Sequence, residues 1–308
     1  MTQTILLVGA TGMLGNQIGK HLLAEPDAKL RLLVRNGRNN SKSHTLNALL
    51  SRGAEIVDGD LSDIASLDRA TQGVDVIISA VQGGLDTIVH GQVALAETGK
   101  RNGVRRILPS DFGLDLFKAT PGEHFAFNAR EVADQQIAAL GMEHVHMLQG
   151  GFMDLFGPGS PLVDYENATI TFWGDGHQPI EVTSVADTAR MTARVALDRS
   201  VVSGKFAFCG DKISFQQVAD IAEAKTGKRF ARHSLGSEAA LRAAMVSVAK
   251  SDPFQAVMLA YQLYMLNGQT SLDDLQSERY SDIRLQRFSE FLTQRMLKSP
   301  ETQTGGSQ

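Results

Sequence analysis

Residues 4–10, TILLVGA, form an apolar run closing on Gly9 and Ala10, and LGNQIGKHLLAE (14–25) carries its apolar positions at helical spacing. The two patterns then alternate. KLRLLVR (29–35), AEIVDGDL (54–61), VDVIISAV (74–81), VRRILPS (104–110) and EHVHMLQ (143–149) read as strands. TLNALLSRG (45–53), DIASLDRATQG (63–73), residues 86–103 and AREVADQQIAALG (129–141) read as helices. The fourth strand is almost wholly apolar, as a strand covered on both faces must be. Short strands alternating with helices predict an α/β fold built on a doubly wound parallel Rossmann sheet.

After LQGGFMDLFGPG (148–159) the rhythm changes, with Gly and Pro clustered and aromatics appearing. ATITFWGDG (168–176) reads as strand and turn, 183–197 as a helix and GKFAFCG (204–210) as a strand. In 214–227, Ser214 with Gln217 three residues on predicts a capping box, and Gly227 a helix stop. Residues 237–266 and 280–297 read as helical. The expected organisation is therefore a Rossmann domain over 1–150 and a smaller, mainly helical lobe over 151–298 that returns strands to the main sheet. Residues 299–308 form a polar tail.

Composition narrows the class. The chain has 308 residues, a net charge of −4 and one cysteine, Cys209. That balance gives no general attraction to nucleic acid or anionic membrane, and a lone cysteine excludes an intrachain disulfide. No apolar run reaches the ~18 residues of a membrane span. A cytoplasmic protein is expected.

The most informative stretch is GATGMLG, with glycines at 9, 12 and 15 between the first strand and helix. Gly9 permits the tight turn, Gly12 lets backbone approach a pyrophosphate, and Gly15 lets the helix pack on the sheet. The helix N-terminus offers free N–H groups and partial positive charge to phosphates. Thr11, Met13 and Leu14 share this loop and complete the expected contacts. At the end of the second strand, where an NAD site usually holds an acidic residue, stand Arg35 and then Arg38. A guanidinium can grip a 2′-phosphate in bidentate fashion, which favours NADP(H), whereas a solvated basic loop is the bland alternative. Asp60 and Leu61, in DGDLSD after the third strand, are placed beside the adenine, with helix capping the competing use for the aspartates.

GATGMLG, LVRN, GDLSD and above all RILPSDFGLD (106–115) resemble the NmrA-like and isoflavone-reductase-like family of atypical short-chain dehydrogenases. The resemblance covers roughly residues 4–200. It implies a Rossmann domain with a small C-terminal lobe, and either an NADPH-dependent reductase of aromatic or phenylpropanoid-like compounds or a non-catalytic redox sensor. The position of the family's catalytic lysine falls on Arg130, at the start of the predicted helix. Arginine stays protonated and serves poorly as an acid or base. It can still stabilise a developing oxyanion. The Tyr-x-x-x-Lys pair of ordinary short-chain dehydrogenases is missing at Tyr165, Tyr261, Tyr264 and Tyr280.

Ligands of open α/β sheets lie at the carboxyl ends of the strands. Ala80, Val81 and Gln82 are accordingly placed along the ribose and nicotinamide, and Ser110 and Asp111 in the middle of the site. Arg130, His124 and Lys118 are the polar partners considered for catalysis; a solvated loop lysine and an ordinary loop histidine are the competing accounts of the last two. His144 and His146 share a strand face, but no third ligand has fitting spacing, so no metal is expected. The expected function is an NADP(H)-dependent reduction of a small apolar or aromatic substrate. The alternatives are an NADP(H) sensor and an isomerase that retains the cofactor. A homodimer is an open possibility.

Overall fold

A computed structural model describes residues 2–35 and 43–297. The chain divides into two compact units interleaved in sequence. One comprises residues up to Phe112, Phe125–Leu148 and Val185–Ala207; the other comprises Gly113–His124, Gln149–Ser184 and the residues from Phe208 onward.

The first unit contains β1 (Gln3–Val8), α1 (Met13–Leu22), β2 (Ala28–Val34), α2 (Ser43–Leu50), β3 (Glu55–Asp58), α3 (Ile64–Thr71) and β4 (Val76–Ser79). A π-helical turn (Asp86–Gly91) runs into α4 (Gln92–Arg101), followed by β5 (Arg106–Leu108), α5 (Phe125–Ala139) and β6 (Glu143–Leu148). α6 (Val185–Leu197) completes its helices. Its last strand is β11 (Gly204–Ala207). Among the described residues these strands form one seven-stranded sheet, ordered β11-β6-β5-β4-β1-β2-β3 and parallel at every pairing. β4 is buried at all four positions, as its unbroken apolar run requires. The order places β1 beside β4, so the chain reverses direction across the sheet there, and the β1 and β4 ends face a topological switch point.

The second unit holds two small sheets besides its helices. β7 (Gly151–Phe152), β10 (Ile180–Thr183) and β12 (Asp211–Ile213) form one; β8 (Val163–Asp164), β9 (Thr169–Phe172) and β13 (Ala231–Ser234) form the other. Its core gathers Phe156, Phe172, Phe215 and Phe288 around Ile170, Val182 and Val218. The helices are α7 (Phe215–Thr226), α8 (Glu238–Val248), α9 (Pro253–Asn267) and α10 (Phe288–Leu297).

Three predicted elements differ. The 237–266 stretch is two helices, because Asp252 caps a new helix through Gln255 N and Pro253 occupies its first turn. The predicted 280–297 helix is confined to α10. α5 starts at Phe125, ahead of the predicted 129, so Arg130 lies in its second turn and does not begin it. The Ser214 capping box is present, with Ser214 Oγ accepting from Gln217 N at 3.2 Å and Gln217 Oε1 accepting from Ser214 N at 2.9 Å. Ser214→Ala should therefore lower stability by about 1 kcal/mol in a urea titration.

Candidate cofactor site

At the β1–α1 turn, Gly9 adopts φ +92°, and a Cβ there would lie 2.2 Å from the Ala80 carbonyl oxygen. A Cβ at Gly15 would lie 2.3 Å from the Gly9 oxygen. These two glycines let the turn nest between β4 and its own helix. Gly12 has an ordinary extended conformation, is exposed, and would bring a Cβ only to 3.3 Å from Gly9 O. It stands at the N-cap of α1 with no side-chain cap, which leaves the first N–H groups of the helix available. Gly12 N donates to Gly9 O at 3.0 Å, closing the turn. Asn16 braces it, with Nδ2 donating to Ala10 O at 3.4 Å and to Thr45 O at 2.7 Å. Thr11 and Leu14 are half-buried, while the Met13 side chain is exposed.

Arg35 directly follows β2 with a largely exposed side chain, its Nε 3.8 Å from Asp60 Oδ2. Asp60 forms a tight local turn. Its Oδ1 accepts from Ser62 N at 2.9 Å and Ser62 Oγ at 2.8 Å. These bonds hold its carboxyl below the usual range, and Arg35 adds a smaller pull. Helix capping in this segment falls to Asp63, which accepts from Ala65 N at 3.0 Å. Leu61 packs against Gly91, where a Cβ would lie 2.8 Å from its own Cβ. Arg38 lies outside the described residues.

Ser110 ties the ends of several elements together. Its hydroxyl donates to Val81 O at 2.7 Å, its N–H to Gln92 Oε1 at 2.8 Å, and its carbonyl accepts from Arg130 Nε at 2.8 Å. Arg130 Nη1 also donates to Ala126 O at 3.0 Å. Ala80 and Val81 are half-buried beside this knot and Gln82 is exposed. Gln92 and Asn16 were not foreseen. Gln92 opens α4 directly after the π-helical turn and is buried there, a placement no sequence pattern announces.

Asp111 turns its carboxyl into the interior. His146 Nδ1, from β6, donates to Asp111 Oδ2 at 2.8 Å and lies 3.7 Å from Asp134 Oδ2, from α5. The three donor atoms lie within 4.8 Å of one another and all three residues are buried. The spacing of His144 and His146 offered no third partner; the fold supplies two carboxyls from distant segments. The two carboxyls face one another across this cluster. Asp134 is pushed up to about 10, first by burial, then by the Asp111 charge and the hydrogen bond with Asp111, while Arg130 pulls the other way.

The two remaining residues considered for catalysis belong to the second unit. Lys118 Nζ donates to Ser271 O at 2.6 Å and pairs with Asp273 Oδ2 at 2.6 Å. His124 is fully buried, edge-on to Tyr261 at 4.4 Å and stacked with Tyr264 at 6.0 Å. Both are engaged in packing their own unit. Arg130 alone of the three shares a unit with Ser110 and the glycine turn.

Known proteins resemble the chain along its length. It is 27% identical to the phenylcoumaran benzylic ether reductase IRL1 of Ginkgo biloba over 94% of this chain and 98% of the relative. It is also 27% identical to pinoresinol reductase 1 of Arabidopsis thaliana, over 94% and 95%. A solved structure described as AtPrR2 with NADP+ and (+)pinoresinol superposes with a TM-score of 0.83 over 95% of this chain and 98% of that one; its identity is 24%, so this likeness establishes the fold. Among the described residues no helix is long and apolar enough to cross a membrane. The description of the NmrA-like family matches residues 1–292, and the chain belongs to that family.

Proposed function

We propose that the chain binds NADP(H) at the β1–α1 turn and reduces a small aromatic, phenylpropanoid-like substrate. The observation that carries this is the turn itself: two glycines whose missing side chains admit backbone at 2.2 and 2.3 Å, and a third that leaves an uncapped helix N-terminus open. The residues fit the cofactor. The α1 N–H groups would hold the pyrophosphate, Arg35 the 2′-phosphate, and Ala80 and Val81 would flank the ribose and nicotinamide. Bound NADPH supplies a hydride. The chain's part is to orient the acceptor and stabilise negative charge developing on it, for which Arg130, always charged and anchored on Ser110, is the polar group of choice. The reductase names of the relatives support the reaction class.

One observation favours a second reading, a non-catalytic NADP(H) sensor. Lys118 and His124 are built into the packing of the other unit, and Arg130 is a poor proton donor. Oxidation of NADPH in the presence of quinones, enones, aromatic ketones or pinoresinol-type substrates supports the reductase. Tight NADPH binding without turnover of any of them supports the sensor.

The cofactor choice has its own test. Arg35→Ala should weaken NADPH binding by roughly ten- to a hundredfold, the weight of about 1.5–3 kcal/mol for a hydrogen-bonded charge. NADH binding should stay unchanged in the same fluorescence titration. Equal losses for both would remove Arg35 from 2′-phosphate recognition.

A further inference from the structure

The Asp111–Asp134–His146 cluster has a consequence for the site above it, and it rests on the reductase reading. Asp111 follows Ser110 directly, and Asp134 follows Arg130 by four residues, one turn along α5. Ser110 and Arg130 are themselves joined, Nε to carbonyl, at 2.8 Å. Between the β5 loop and α5 the Arg130–Ser110 bond forms an outer rung, and the Asp111 and Asp134 carboxyls, with oxygens within 4.8 Å of one another, face each other where an inner rung would lie. β6 closes the inner rung from the other side through His146. Among the described residues no neighbouring donor reaches either oxygen of Asp134, and both are buried. An ionised carboxylate there would be orphaned, whereas a protonated one donates to Asp111 and completes the rung. The charged and titratable groups around Asp134 are Asp111 and His146 from the sheet side and Arg130 and Glu131 on its own helix.

We propose that Asp134 is a positioning residue that keeps its proton, donates it in a hydrogen bond to the Asp111 carboxylate, and so holds Ser110 and Arg130 in register at the nicotinamide end of the cofactor site.

Replacement by asparagine and by valine separates this role from simple packing. Asp134→Asn keeps a donor toward Asp111 and cannot titrate. Asp134→Val is close in size, has no donor, and leaves Asp111 with His146 alone. The asparagine variant should keep kcat and the KM for NADPH within about twofold. The valine variant should lose kcat by about tenfold or more, because a displaced Arg130 misplaces the acceptor, while its KM for NADPH moves less than about threefold. Equal loss in both variants, or none in the valine variant, overturns the proposal.

A second measurement needs no turnover. In protein labelled at aspartate Cγ, one resonance, absent from Asp134→Asn, should stay at the position of a protonated carboxyl between about pH 5 and pH 8, where ordinary aspartates are ionised. A carboxylate shift throughout overturns it. So does a stoichiometric metal ion in the purified protein that is lost in Asp134→Asn. Failure of the reductase reading abolishes the kinetic comparison but leaves the resonance to be read.

The proton also leaves a stability signature. The folded chain holds it up to about pH 10, and the unfolded chain releases it near the ordinary 3.8. Stability from this group is complete below the lower value and declines as pH rises toward the higher one. The melting temperature of Asp134→Asn relative to wild type should therefore climb steadily between about pH 5 and pH 9. A flat difference contradicts a retained proton.

Discussion

Arg106→Ala is expected to lower the free energy of unfolding by about 3–5 kcal/mol, read as a shifted urea midpoint with unchanged slope. The Arg106 side chain sits at 0% exposure on β5. Nε donates to Glu143 Oε2 at 2.9 Å, Nη1 to Val195 O at 2.9 Å and Asp198 O at 2.7 Å, and Nη2 to Val201 O at 2.6 Å. The three carbonyls lie at and just beyond the end of α6, where a helix has no partners of its own. One guanidinium thus satisfies a helix end and binds it to the sheet. Alanine removes all four contacts and leaves carbonyls in a space too confined for free hydration, each at about 1–3 kcal/mol. Glu143 is itself 41% exposed and keeps Arg105 at 2.6 Å, so Glu143→Gln should cost no more than about 1 kcal/mol. A comparable loss in both would mean that the ion pair, and not the carbonyl set, carries the effect.

Local features of the chain were readable because local physics decides them. The apolar VIIS of β4 had to be a buried strand, and Ser214 with Gln217 had to cap a helix. GKFAF forms a strand, β11, and its place beside β6 in the seven-stranded sheet is a long-range pairing. Long-range partners were not readable. His146 meets Asp111 from 35 residues away and Asp134 from 12, and nothing in either spacing announces the meeting. The π-turn hid for a different reason. It differs from an α-helix by less than one residue per turn, too little to disturb an apolar pattern read over a few turns; Gln92, directly after it, accepts from Ser110 N at 2.8 Å. The start of α5 was placed too late because FAFN carries aromatics and an asparagine, weak helix formers; burial of Phe127 and Ala129 overrides that preference. Lys118 and His124 entered by sequence proximity to Arg130, and both lie in the segment Gly113–His124 that belongs to the second unit.

The three glycines of the β1–α1 turn should respond to alanine in opposite ways, although the sequence writes them as one motif. Gly9→Ala sets a Cβ 2.2 Å from the Ala80 oxygen in a left-handed backbone, and Gly15→Ala sets one 2.3 Å from the Gly9 oxygen. Both obstacles are backbone atoms of the central sheet or of the turn itself and cannot rotate away. Either variant should be recovered in low yield or with a melting temperature lower by 10 °C or more, corresponding to a loss of roughly 3–5 kcal/mol. Gly12→Ala differs in kind. Its φ of −80° suits any residue, and its Cβ would meet only Gly9 O, at 3.3 Å, a contact that a shift of a few tenths of an ångström relieves. The folded chain should keep its melting temperature within about 2–3 °C. The added methyl then stands over the uncapped N-terminus of α1, where the pyrophosphate is proposed to approach. NADPH affinity should fall by about thirtyfold or more, the scale of losing one or two charge-assisted backbone hydrogen bonds. A well-folded Gly12→Ala protein that binds NADPH like wild type would show that the phosphates lie elsewhere, and with it the functional assignment of this turn would fall, while the structural roles of Gly9 and Gly15 would stand.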